Sequence, residues 1–165
     1  MIIVADSSAL VALATCGSLW VLKELFNEVK VPQAVFDEVV VPNKPQAQTL
    51  RIYLEDKVET VDLSQVILKN VNGIGQGELE AMALAMNLSA NRLLIDDAKA
   101  KKVALLNQIK VIGSLGILLL AKQQNLLDEL KPLLESINQS DIYISKRLVT
   151  KVLLLAGEIE SDKRA

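Results

Sequence analysis

At 165 residues, 51% of them hydrophobic, the chain has the size and apolar content of one domain around one buried core, and a second domain is not expected. A formal charge of -2 gives no basic field over the whole molecule to hold a polyanion, so any contact with nucleic acid has to be local, and 3% aromatics leave few stacking platforms. Histidine is absent and cysteine occurs once, which excludes Ser-His-Asp and Cys-His nucleophiles, imidazole acid-base pairs, histidine-ligated zinc and an internal disulfide. Carboxylates remain as the chemistry-bearing groups.

In chain order, Ile2 to Ala5 is a short β-prone run ending at Asp6, and Ser7-Ser8 offer N-cap hydroxyls to a helix from about Ala9 to Thr15. Cys16 reads as a small buried hydrophobe. Gly17 and Ser18 break the helix; Leu19, Leu22 and Phe26 then recur at helical spacing, and Val29 to Val31 predicts a second strand. Pro32 stands where helices begin, ahead of a helix from Gln33 to Val40 that carries Asp37 and Glu38 near its edge and is stopped by Pro42 and Pro45. A helical piece from Gln46 to Tyr53 leads to a strand over Val58 to Val61, and a polar helix or loop runs on to Asn72.

Gly73, Gly75 and Gly77 read as a flexible connection into an amphipathic helix from Glu78 to Met86, with Leu79, Met82, Ala83 and Met86 inward. Arg92 to Ile95 predicts a strand ending at Asp96-Asp97, Ala98 to Asn107 a helix, Ile109 to Ile112 a strand, and Ser114 a cap on a helix reaching about Gln124. Helices over Leu127 to Ile137 and Ser145 to Ala156 follow, so that residues 1–157 form one domain and the charged run 158–165 a frayed tail. The βαβα order gives an α/β protein. The start MIIVADSSAL lacks a basic leader region, and the longest apolar stretch, Val111 to Ala121, is short of the roughly 20 residues a bilayer span requires. A cytoplasmic protein without a membrane span is expected.

In an open parallel sheet, functional groups collect beyond the carboxyl ends of the strands, where the strand order reverses. Asp6 and Asp96-Asp97 both have that address and face one rim if their strands are neighbours. Glu78, following three glycines, can be presented into the same cleft, while Glu38 is the weakest of the set by pattern alone. Clustered carboxylates raise one another's pKa unless a cation lies among them, and hard oxygen donors without histidine or thiolate suit Mg²⁺ or Mn²⁺. Such an ion can activate water for in-line attack on a phosphodiester. Lys99, Lys101 and Lys102, or Lys146, Arg147 and Lys151, are local basic groups able to hold a phosphate backbone, and each is also an ordinary solvated helix face. The glycines match neither a dinucleotide fingerprint nor a P-loop.

Taken together, DSSAL (6–10), VFDEVV (35–40), GQGELEAMALA (75–85) and LLIDDAKAKKVA (93–104) resemble the PIN-domain family, known best from VapC-like toxins. VIGSLGILLLAKQQNLL (111–127) and DIYISKRLVTKVLLLAGE (141–158) are similar to a PIN-like subfamily long catalogued as a domain of unknown function. The resemblance covers nearly the whole chain. It implies a three-layer α/β/α fold with a central parallel sheet, Mg²⁺- or Mn²⁺-dependent cleavage of RNA, homodimers, and a cognate antitoxin. By position, it assigns Asp6, Glu38 and Glu78 to the family acids and leaves Asp96 and Asp97 both open for the last. Ile95 occupies the place of a threonine common in the family, so hydroxyl support is expected from Ser8 or Ser114.

The function expected is that of an endoribonuclease, the toxin of a two-gene pair. Two other readings stay open: a non-catalytic PIN-like module that binds RNA or protein, and an acid-pocket phosphotransfer domain. The second is weakened by Ser8, which stands where a phosphatase Asp-x-Asp motif needs its second acid.

Overall fold

The computed structural model describes residues 1–160. Five strands, β1 (Ile2–Ala5), β2 (Glu28–Pro32), β3 (Val58–Glu59), β4 (Arg92–Leu94) and β5 (Val111–Ile112), form one sheet in the order β3-β2-β1-β4-β5 with every pairing parallel. Among the described residues nine α-helices flank it: α1 (Ser7–Thr15), α2 (Val21–Leu25), α3 (Gln33–Val39), α4 (Ala47–Leu54), α5 (Gln76–Asn87), α6 (Ala98–Leu106), α7 (Ser114–Gln123), α8 (Lys131–Asn138) and α9 (Lys146–Leu155). This is the three-layer α/β/α arrangement. Its strands have to be apolar on both faces, because helices cover both. Ile3, Val4 and Ala5 of β1 and Leu93 and Leu94 of β4 are indeed fully buried.

The strand order reverses between β1 and β4, since the chain builds outward from β1 through β2 to β3 and then returns to the other side of β1. Register pairs Ile3 with Arg92 and Ala5 with Leu94, and the Asp6 backbone N–H donates to the Leu94 carbonyl at 2.8 Å. Both strands therefore end at one level. Asp6 and the Asp96-Asp97 doublet flank the crevice where such sheets bind ligands.

Several boundaries differ from expectation. The helix expected from Leu127 begins at Lys131, because Pro132 is tolerated only in a first turn and the preceding backbone is bonded elsewhere. Ser7 and Ser114 are helical residues, not caps: Asp6 and Gly113 hold the cap positions, without side-chain cap bonds. Ser145 does cap α9, accepting from the Leu148 N–H at 3.1 Å. Cys16 is half-buried rather than a core residue.

The charged tail was expected to fray from Glu158. Instead the Glu158 carboxylate accepts from Lys122 Nζ at 2.9 Å and from the Leu130 and Lys131 N–H groups at 2.8 and 3.0 Å, which ties position 158 to the start of α8. Residues 161–165 of that tail lie outside the described residues. Among the described residues no helix is long and apolar enough to cross a membrane.

Candidate active site

Asp6, Glu38, Glu78 and Asp97 line one cleft of about 400 Å³ above the reversal point, together with Ser7, Ser8 and Gly75 to Gly77. Each acid arrives on a different element, and each placement has a local cause. Asp6 leaves β1 while still in the parallel ladder, so its side chain is only 3% exposed. Glu38 sits on the last turn of α3 and is exposed; its Oε2 accepts from the Ser7 hydroxyl at 2.8 Å. Glu78 is the third residue of α5, where its Oε2 accepts from the Gly75 N–H at 3.1 Å, one half of a capping box. Asp97 caps α6, with Oδ1 accepting from the Ala100 N–H at 2.8 Å.

The glycines ahead of α5 do not act as one flexible connection. Gly73 turns the chain with φ +79 beneath the Lys99 side chain, and Gly75 holds the cap position. Gly77 lies inside the helix, where an added Cβ would stand 3.0 Å from Glu38 Oε2. Its missing side chain lets the start of α5 approach α3 closely enough for Glu38 and Glu78 to share the cleft.

The doublet is divided between two sides. Asp97 faces the cleft with Asp6; Asp96 lines the neighbouring cavity, where Oδ1 accepts from the Ser114 N–H at 2.7 Å and Oδ2 from the Ser114 hydroxyl at 2.6 Å. The expectation of both carboxylates in one site is corrected here by backbone geometry: successive residues of extended chain point to opposite faces. Ser114, 3% exposed, is consequently committed to Asp96. The exposed Ser8 lines both cavities.

Burial raises the Asp6 carboxyl from its ordinary 3.8 to about 7; the Ser7 backbone N–H opposes the shift, while the charges of Glu78, Glu38 and Asp97 add to it. Its Oδ1 is buried and, among the described residues, has no hydrogen-bond partner. A buried acceptor left unpaired costs roughly 1–3 kcal/mol, more for a charged one, so this atom calls for a partner. The surrounding donors are hard carboxylate oxygens, with neither imidazole nor thiolate near. That chemistry fits a divalent cation of the Mg²⁺ or Mn²⁺ kind. As the side chains stand, no three acids among the described residues are grouped tightly enough to hold an ion. Glu38, Glu78 and Asp97 are each turned toward a local hydrogen-bond donor.

Of the basic residues singled out by sequence, Lys101 lines the larger cavity beside the cleft, together with Lys151. Lys99 lies over Gly73, and the exposed Lys102, Lys146 and Arg147 line neither cavity. Ser7, Lys44 and Tyr143 also belong to these walls and were not anticipated as site residues. No pattern links Ser7 to Glu38 across 31 positions. The signal for Tyr143 was its polar, apolar-interrupted setting in DIYIS, which reads equally as a loop.

No curated protein and no solved structure matches the chain. A family model first catalogued as a domain of unknown function, and described as a PIN domain, matches residues 2–158. With that match spanning nearly the whole sequence, and with acids gathered at the reversal point of a parallel sheet, the chain belongs to the PIN-domain family, whose members are generally nucleases.

Proposed function

We propose that the protein is a Mg²⁺- or Mn²⁺-dependent endoribonuclease and the toxin of a toxin-antitoxin pair, held in check by a cognate antitoxin and acting as a homodimer in the cytoplasm. The observation that carries this reading is Asp6 Oδ1: a buried, unpartnered carboxylate oxygen at the floor of a cleft with Glu38, Glu78 and Asp97 on its walls. Among the described residues no group satisfies that oxygen, and a cation would satisfy it.

Asp6, Glu78 and Asp97 would hold the ion, with Glu38 beside them. Glu38 and Asp97 are exposed, so their side chains are free to turn toward it. A bound divalent ion lowers the pKa of water and offsets the charge that develops on a phosphodiester. Ser7 steadies Glu38, and a carboxylate oxygen not engaged with the ion can accept the proton of the attacking water. Asp96 and Ser114 hold the end of β4 to the start of α7 and so fix the direction in which Asp97 is presented.

The test is cleavage of single-stranded RNA by the purified protein with Mg²⁺ or Mn²⁺, against EDTA and against Asp6→Asn and Glu78→Gln. Metal-dependent cleavage that both substitutions abolish supports the reading; metal binding without hydrolysis of any RNA tried would replace it with a non-catalytic module. That alternative draws on one observation, the acids' present orientation toward local donors. For the toxin role, growth arrest on expression, relieved by co-expressing the adjacent open reading frame, is expected.

A further inference from the structure

Beside the acidic cleft lies a second, larger cavity of about 670 Å³, with Ser7, Ser8 and Glu38 forming walls common to both. Its volume falls in the range of roughly 300–1,000 Å³ typical of ligand sites. The lining is mostly apolar, with Leu148 and Leu155 of α9 exposed within it. Tyr143, in the segment between α8 and α9, contributes an aromatic side chain that is 85% exposed. Lys44, Lys101 and Lys151 bring three cationic residues to the lining of the same cavity, from the turn between α3 and α4, from α6 and from α9. Its two acids are Glu38, in the shared wall, and Asp96, whose oxygens are both occupied by Ser114.

An exposed aromatic side chain in a largely apolar lining, cationic side chains, and a wall shared with the cleft of carboxylates match one kind of occupant. Nucleobases have apolar faces and stack on aromatic rings; the chain joining them is a polyanion. A paired base could not enter, because its faces and edge are already engaged in the duplex. We propose that this cavity receives single-stranded RNA, with one base stacked on Tyr143 and the phosphates next to it led past Lys44, Lys101 and Lys151 into the acidic cleft. The proposal rests on the nuclease reading for its direction and adds the place where the strand is held and a base-stacking specificity residue outside the acids.

Binding of a short fluorescent single-stranded RNA of mixed sequence is measured by anisotropy in the uncut Asp6→Asn background, alone and combined with Tyr143→Ala, Tyr143→Phe or the pair Lys44→Ala and Lys151→Ala. Because Tyr143 is exposed, its removal should leave the urea midpoint unchanged. Tyr143→Ala is expected to weaken binding about tenfold, as loss of one stacked base does, while Tyr143→Phe retains it. The lysine pair should lower the salt dependence of log Kd by about 1.4, two phosphates at roughly 0.7 each. A duplex of the same sequence should compete at least about tenfold less well. Unchanged binding by Tyr143→Ala overturns the proposal, as does conversion of a dimer to a monomer by Tyr143→Ala with RNA affinity unaltered, which would make this face a contact between copies of the chain. Tyr143-dependent binding by a wild-type protein that cuts nothing in Mg²⁺ or Mn²⁺ would uphold the cavity and sink the nuclease reading separately.

Discussion

Substituting asparagine for Asp6 keeps the shape of the side chain and removes its charge, and two opposite effects should follow. In the metal-free protein the carboxyl is held up to about 7 against an ordinary 3.8. A folded-state pKa above the unfolded one means the folded protein keeps the proton longer; the stability this confers is complete below about pH 4 and is lost as pH rises to about 7. The shift of about 3 units corresponds to a loss of at most roughly 4 kcal/mol once Asp6 ionises, at 1.36 kcal/mol per unit. Asparagine does not ionise. In EDTA the variant should therefore gain on wild type by about 3 kcal/mol between roughly pH 5 and pH 8, read as the change in the difference of their urea-unfolding free energies. With Mn²⁺ the order reverses. Wild type at about 100-fold excess over its Kd should gain roughly 2.7 kcal/mol, and the variant should gain little. A variant that loses stability in EDTA at about pH 8 and still responds fully to Mn²⁺ would refute the assignment of Asp6 as both the strained acid and the principal ligand.

Four further outcomes follow from the same geometry. Asp97→Asn keeps an N-cap side chain but removes charge, so it should unfold within about 0.5 kcal/mol of wild type and lose Mn²⁺ affinity at least tenfold by calorimetry. Asp96→Asn should show the reverse bias, with the urea-unfolding free energy lowered by about 1–2 kcal/mol as the Ser114 pair loosens, and Mn²⁺ affinity within about threefold of wild type. Gly77→Ala inserts a Cβ 3.0 Å from Glu38 Oε2; stability should hold or rise by up to about 1 kcal/mol from helix propensity, while metal-dependent cleavage falls severalfold. Glu158→Ala leaves the Leu130 and Lys131 N–H groups and Lys122 without their acceptor, and unfolding should become easier by about 2–3 kcal/mol.

That last contribution has its own pH signature. Burial pushes the Glu158 carboxyl up, but the Lys122 ammonium and the two N–H donors more than offset it and hold the pKa below the ordinary 4.5. The stability is therefore present above about pH 4.5 and is lost as pH falls through the folded value, so the Glu158→Ala difference should shrink in acid.

Much of the architecture was legible because its cause is local. Ile3 to Ala5 before Asp6 and Leu93 to Ile95 before Asp96 are buried on both faces, and such runs announce central parallel strands. Helix ends were less legible, since they depend on partners far along the chain: α8 starts at Lys131 because Glu158 supplies the acceptor for its first N–H groups. The same limit governs the site. Asp6 and Asp97 followed from strand order, and the alternation of extended chain separates Asp96 from its neighbour, but the partner that engages Asp96 on its own side, Ser114, lies 18 residues on and could not be read from the doublet itself. Glu38 gave the weakest pattern and still lines the cleft, because glycine at position 77 lets α5 come close to α3. Tyr143 and Lys44 reach their cavity through tertiary packing alone.

The central claim is that Asp6 and Glu78, with Asp97 and Glu38 around them, share one divalent ion. Anomalous diffraction from crystals soaked in Mn²⁺ tests it most directly. The expected result is a single strong peak in the cleft, about 2 Å from Asp6 Oδ1 and from an oxygen of Glu78 or Asp97. A peak at Asp96 and Ser114 instead, or none at a concentration that saturates calorimetric binding, would contradict it.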